Sequence, residues 1–100
     1  MTSNFNVENN LVTVTLTGSI YVEDAAGLRE QLIGYIDKGH SSFLINVATV
    51  DYIDSSGLGV LVAIHKRAVQ SNGKVIIKGL TGVVKELFEL TRLNKVFELQ

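Results

Sequence analysis

One hundred residues, 46% of them apolar and 19% charged, suffice for one globular domain with one hydrophobic core and exclude a disordered chain. A net charge of −1 removes any general electrostatic reason for binding nucleic acid or an anionic membrane, and the lack of cysteine excludes disulfides and thiolate metal sites. No run approaches the ~20 apolar residues of a membrane span, and Met1-Thr2-Ser3-Asn4-Phe5-Asn6 lacks the basic flank of a leader, so a cytoplasmic protein without membrane insertion is expected.

Taken in chain order, Phe5–Glu8 and Leu11–Thr17 read as two strands joined by a tight Asn9-Asn10 turn, the second alternating apolar and threonine residues and ending at Gly18. From Asp24 to Lys38 the period becomes helical, with Ala25, Leu28, Leu32 and Ile36 on one stripe, Glu23 or Asp24 at the start and Gly39 as the stop. Gly27 and Gly34 share a face of that helix, where they either allow close approach to a sheet or are simply tolerated. Phe43–Val47 is a mostly apolar run, the pattern of a strand covered on both faces.

A second helix follows Ser55-Ser56-Gly57, its inner stripe read as Leu58, Leu61, Val62, His65 and Val69, and it ends near Asn72-Gly73. Lys74–Lys78 is a strand, Thr81 suits the cap of a third helix with Val84, Leu87, Phe88 and Thr91 inward, and Val96–Leu99 is a last short strand. The order β-β-α-β-α-β-α-β over residues 1–100 predicts a single α/β domain with a mixed sheet of four or five strands and three main helices, near 24–38, 56–71 and 82–91.

The segment Asp54-Ser55-Ser56-Gly57-Leu58-Gly59 holds the most chemical information. It is a loop that brings two hydroxyls to a helix start, where either serine could cap free N–H groups and where the positive end of the helix favours a phosphate. Gly57 and Gly59 leave the first turn bare enough for a partner's backbone or a nucleotide, Asp54 adds a negative charge, and Leu58 is either an apolar contact or part of the core. On these residues alone the plainer reading is an ordinary capped helix behind a strand.

The longer run Val50-Asp51-Tyr52-Ile53-Asp54-Ser55-Ser56-Gly57-Leu58-Gly59-Val60-Leu61 resembles the signature of the STAS family, in particular of its bacterial anti-sigma factor antagonists. Leu16-Thr17-Gly18, Leu44-Ile45-Asn46-Val47, the segment Val84–Thr91, Leu93 and Phe97 extend the likeness over nearly the whole chain. The resemblance implies a non-enzymatic partner-switching protein phosphorylated at Ser55, the first serine after the signature aspartate. Its expected partners are a serine kinase and anti-sigma factor of the histidine-kinase-like ATPase fold and a serine phosphatase, with Asp54, Ser55, Ser56, Gly57, Leu58 and Gly59 forming the contact. The same fold also serves as a subunit of lipid-transport ABC complexes or of larger signalling assemblies, the alternative reading. One departure stands out: many relatives carry an acid about three positions after the glycine of Leu-Thr-Gly, where this chain has Tyr21.

Competing enzyme readings fail on particular residues. A nucleophile elbow needs glycine two positions before the serine, and a dinucleotide fingerprint needs a third glycine where Val62 stands. A receiver domain, which would suit the length and Lys78, lacks an acidic pair after the Leu11–Gly18 strand to hold a divalent ion. His65 is expected half-buried rather than a ligand, His40 solvated in a turn, and Asp51 with Asp54 strand-end acids rather than an acid–base pair; Lys66, Arg67 and Lys74 are expected to be solvated. No cofactor and no metal is expected.

Overall fold

The computed structural model describes residues 1–100 as β1 (Thr2–Glu8), β2 (Leu11–Ile20), α1 (Val22–Asp37), β3 (Ser42–Ile53), α2 (Ser55–Gln70), β4 (Lys74–Lys78), α3 (Gly82–Leu90), a 3-10 turn at Leu93–Lys95, and β5 (Glu98–Leu99). The five strands lie in the order β1-β2-β3-β4-β5; β1 runs antiparallel to β2 and the remaining pairs are parallel. Because β2 to β5 follow one another across the sheet, right-handed crossovers carry α1, α2 and α3 to the same face. Val12, Val14 and Leu16 of β2, Phe43, Ile45 and Val47 of β3, and Val75 and Ile77 of β4 meet the helices there in one core cluster.

Asn9 and Asn10 both take positive φ, 51° and 66°, which is the backbone a two-residue hairpin turn of primed type requires and asparagine tolerates. At the other end of β2 the expected stop at Gly18 is not found: the strand runs on to Ile20, and Gly18 instead has φ +88° beside a break in the ladder. Two such breaks, between Thr15 and Thr17 and between Gly18 and Ser19, each place an additional β3 residue opposite β2. The buried positions of β3 therefore change from every second residue at Phe43, Ile45 and Val47 to every third at Val50 and Ile53. That makes β3 a 12-residue strand reaching seven positions past the register partner of Lys78, and its tip leads directly into α2.

Burial of Phe43–Val47 on both faces is not what the fold provides. Leu44 and Asn46 point to the uncovered face and are half-buried, since all the helices lie opposite. The α1 stripe of Ala25, Leu28, Leu32 and Ile36 is buried as expected, whereas Gly27 and Gly34 face open space, so neither glycine serves a close approach. In α2 the inner stripe is Leu58, Leu61, Ile64 and Ala68; Val62 and His65 are half-buried and Val69 is exposed, a rotation of part of a turn from the expected stripe. Thr81 holds the cap position of α3 without a side-chain capping bond, Thr91 lies at its exposed far end, and Val96 and Phe97 precede rather than join β5. Phe97 turns inward against Phe88, with ring centroids 6.0 Å apart.

Candidate functional site at the start of the second helix

The parallel ladder between β2 and β3 closes on Ile20 and Ile53, and the next amide, Asp54 N–H, donates to Ile20 C=O at 3.1 Å. This last bond fixes Asp54 in extended backbone, φ −88° and ψ −179°, as the N-cap of α2. Its carboxylate Oδ1 accepts the Gly57 N–H at 3.1 Å, and its carbonyl accepts the Leu58 N–H at 3.0 Å. The cap is thus an aspartate and not a serine, which corrects the expectation that either hydroxyl would cap. Ser55 and Ser56 are the first two residues of the helix; Ser55 is exposed and Ser56 half-buried.

Gly57 is buried rather than bare to solvent. A Cβ on it would stand 2.7 Å from Ile53 Cγ1 and 2.9 Å from Ile20 Cγ2, so its missing side chain lets α2 settle on the ends of β2 and β3. A large residue there would break packing, and Gly57 cannot serve as a silent steric probe of a partner surface. Leu58, 7% exposed, is core. Gly59 is exposed, a Cβ added to it would meet nothing within 4 Å, and it lies one turn after Ser55 on the same helical face. The outward surface of the segment consequently consists of Ser55 and Gly59, with Ser56 and Asp54 at its margin.

Beside it stands Tyr21, the residue at the departure noted in the sequence, in a pairing with Tyr52 that the sequence pattern does not single out. Tyr21 and Tyr52 flank the Ile20–Ile53 pair and their rings lie 5.8 Å apart at 39°. The N–H of Tyr21 donates to Asp24 Oδ2 at 3.0 Å, so α1 begins at Val22, two residues earlier than expected. The available signal is that both tyrosines sit at the ends of adjacent parallel strands, which brings them together at the tip of the sheet.

The other candidate groups lie apart from this tip or do no joint chemistry. His65 packs edge-on against Phe97 at 5.1 Å, half-buried as expected. His40 is also half-buried, its ring 6.3 Å from Tyr35, instead of solvated. Arg67 pairs with Asp37 at 3.6 Å and Lys74 with Glu98 at 3.9 Å, exposed pairs of small energetic weight. Asp51 is exposed while Asp54 caps, so the two carboxylates do not form an acid–base pair. No three of the His, Asp and Glu side chains converge as a metal-binding group, and no helix is long and apolar enough to cross a membrane.

A one-sided mixed sheet whose longest strand delivers an exposed serine to a helix start is the architecture of a STAS domain. The STAS domain family matches residues 3–100, and the chain belongs to that family, in its anti-sigma factor antagonist branch. The anti-sigma-B factor antagonist of Bacillus subtilis is 31% identical to it, over 96% of this chain and 91% of that one. Among solved structures, a Thermotoga maritima protein described as a candidate anti-sigma factor antagonist superposes with a TM-score of 0.91 at 21% identity, covering 97% of this chain and 84% of that one. The Bacillus cell fate determinant SpoIIAA in its phosphorylated form gives 0.81 at 17% identity, covering 99% and 91%. At those identities the two structures speak to the fold alone.

Proposed function

We propose that this chain is a phosphorylation-controlled binding module of the cytoplasm: unmodified, it docks on a serine kinase that also acts as an anti-sigma factor, and phosphorylation of Ser55 releases it. A serine phosphatase restores the binding form. The observation that carries this reading is the exposed Ser55 side chain at the first position of α2, left out of the cap because Asp54 fills that role. The relationship to a protein named for antagonism of an anti-sigma factor supplies the partner class.

The helix start suits both states of the serine. Asp54 satisfies the Gly57 and Leu58 amides, and the Ser55 and Ser56 amides ahead of them remain at the positive end of the helix, where a phosphate is stabilised. A kinase must bring a carboxylate base and the terminal phosphate of ATP to the Ser55 hydroxyl. After transfer, a phosphoserine carrying about −1.5 to −2 charges faces that same carboxylate at close range, and docking is opposed. The chain itself acts as ligand and substrate, and its fold positions one hydroxyl without catalysing its reaction.

Ser56 is half-buried, so a kinase approaching the helix end meets Ser55 first. Incubation with the kinase and ATP, followed by fragment mass spectrometry, is expected to place a single phosphate on Ser55. Ser55→Ala should abolish labelling and Ser56→Ala should retain it; phosphate on Ser56, or full labelling of Ser55→Ala, would refute the assignment.

A further inference from the structure

We propose that β1 is a pairing edge for a second copy of this chain, and that two copies join through it into one continuous sheet. β1 closes the sheet on one side, so one row of its N–H and C=O groups has no partner strand. The opposite edge, β5, is protected by its length of two residues, whereas β1 has seven. Edges of that length are usually guarded by lysine, proline or a bulge. Thr2-Ser3-Asn4-Phe5-Asn6-Val7-Glu8 has none of these: its register with β2 is unbroken, and its one charge is Glu8 beside the turn.

The hairpin decides which groups face outward. Glu8 and Leu11 flank the two-residue turn and therefore exchange both of their backbone bonds. Along β1 the even-numbered residues then bond to β2, and Ser3, Phe5 and Val7 direct their N–H and C=O groups away from it. An antiparallel second copy centred on Phe5 sets Phe5 against Phe5 and Ser3 against Val7, and each such pair exchanges both bonds. That register overlaps the whole of β1. The side chains of these residues lie on the helix face, where Phe5 stacks on Tyr35 at 5.2 Å and Ser3 Oγ donates to Gln31 Oε1 at 3.4 Å. Val7, 40% exposed in the single chain, gains cover from the second copy.

Charge and spacing select a second copy as the occupant. α1 lies over β1 and β2, about one strand spacing (~5 Å) from the two-fold axis, so the two α1 helices come about 10 Å apart, the distance at which helices pack. Glu30 and Lys38 line a groove of about 270 Å³ with Phe5 and Tyr35, one before and one after Tyr35 along the chain. Both are exposed, and neither takes part in an ion pair of the single chain. The two-fold reverses the groove and sets Glu30 of each copy against Lys38 of the other, so the surface is complementary to itself. The strands also reverse across the axis, which points the two Ser55 tips to opposite ends and leaves both open. This pairing does not depend on the Ser55 reading above.

The test is sedimentation equilibrium of the purified chain over a concentration series. A 10.9 kDa monomer should pass to a species of twice that mass with a Kd on the order of 10 μM, since one strand pair and one helix contact make a small interface. Val7→Lys, which guards the edge, and Glu30→Lys are each expected to weaken association about tenfold or more, with the melting temperature of the dilute chain unchanged. Adding Lys38→Glu to Glu30→Lys should restore association to within about threefold of wild type. Positions 4 and 6 oppose each other in this register, so in the cysteine-free chain Asn4→Cys mixed with Asn6→Cys should form a disulfide under mild oxidation faster than either variant alone. A single 10.9 kDa species up to about 1 mM overturns the pairing. So does a dimer that none of these substitutions weakens, or equal crosslinking in the mixed and the separate samples.

Discussion

At the start of α2 neighbouring residues divide the work: Asp54 caps, Gly57 packs, Leu58 fills the core, and Ser55 and Gly59 face outward. Substitution at the two glycines should separate packing from recognition. Gly57→Ala puts a methyl within 3 Å of Ile53 and Ile20 side-chain atoms and is expected to lower stability by about 1–3 kcal/mol in urea unfolding. Gly59→Arg meets open space, should leave stability unchanged or raise it by up to about 1 kcal/mol through helix propensity, and should weaken kinase binding at least about tenfold. A destabilised Gly59→Arg that still binds the kinase would reverse these roles. The composition of the loop is legible in the sequence, but the division of roles within it is not. Aspartate and serine are comparable N-caps, so Asp54-Ser55-Ser56 offers three capping candidates, and only the Asp54 N–H bond to Ile20 C=O fixes which residue turns the chain. The role of Gly57 is hidden for a related reason: its constraint comes in part from Ile20, far away in sequence.

Among the elements, α1 is the most completely legible, because Ala25, Leu28, Leu32 and Ile36 follow the helical period strictly and all are buried. Its two interior glycines lie on faces with no neighbour within 4 Å, and they weaken the helix without a packing return. Gly27→Ala and Gly34→Ala should each raise stability by about 1 kcal/mol, seen as a higher urea midpoint with unchanged slope; a loss of stability would mean that either site is packed after all. The β3 strand is legible only in its first half. Beyond Val47 the two ladder breaks shift burial to every third residue, a spacing that period-two alternation does not detect, and Val50-Asp51-Tyr52-Ile53 consequently looks like a connection. The extension carries Tyr52 and Asp54 beyond the end of β4 to the exposed tip of the sheet. The helical stripe of α2 differs from the expected one because apolar residues surround much of that helix, so Ile64 and Ala68 compete with His65 and Val69 for the inner face.

For the whole molecule, the strand order and the crossovers place the starts of α1 and α2 at the same end, joined through the Ile20–Ile53 pair. Neither serine hydroxyl supports the cap and the core lies beneath Gly57 and Leu58, so adding a phosphate at Ser55 requires no rearrangement of the fold. In the switch proposed above, the phosphate would act at the surface, through charge and fit to the kinase. A penalty of about 3 kcal/mol in the complex corresponds to more than a hundredfold loss of affinity, sufficient to change partners. The most direct measurement is the affinity of the kinase for the chain before and after stoichiometric phosphorylation of Ser55, taken with the circular dichroism and melting temperature of both forms. Binding is expected to be at least about a hundredfold weaker for the phosphorylated chain, with both forms equally folded. Undiminished binding of the phosphorylated chain, or its release accompanied by melting of α2, would contradict it.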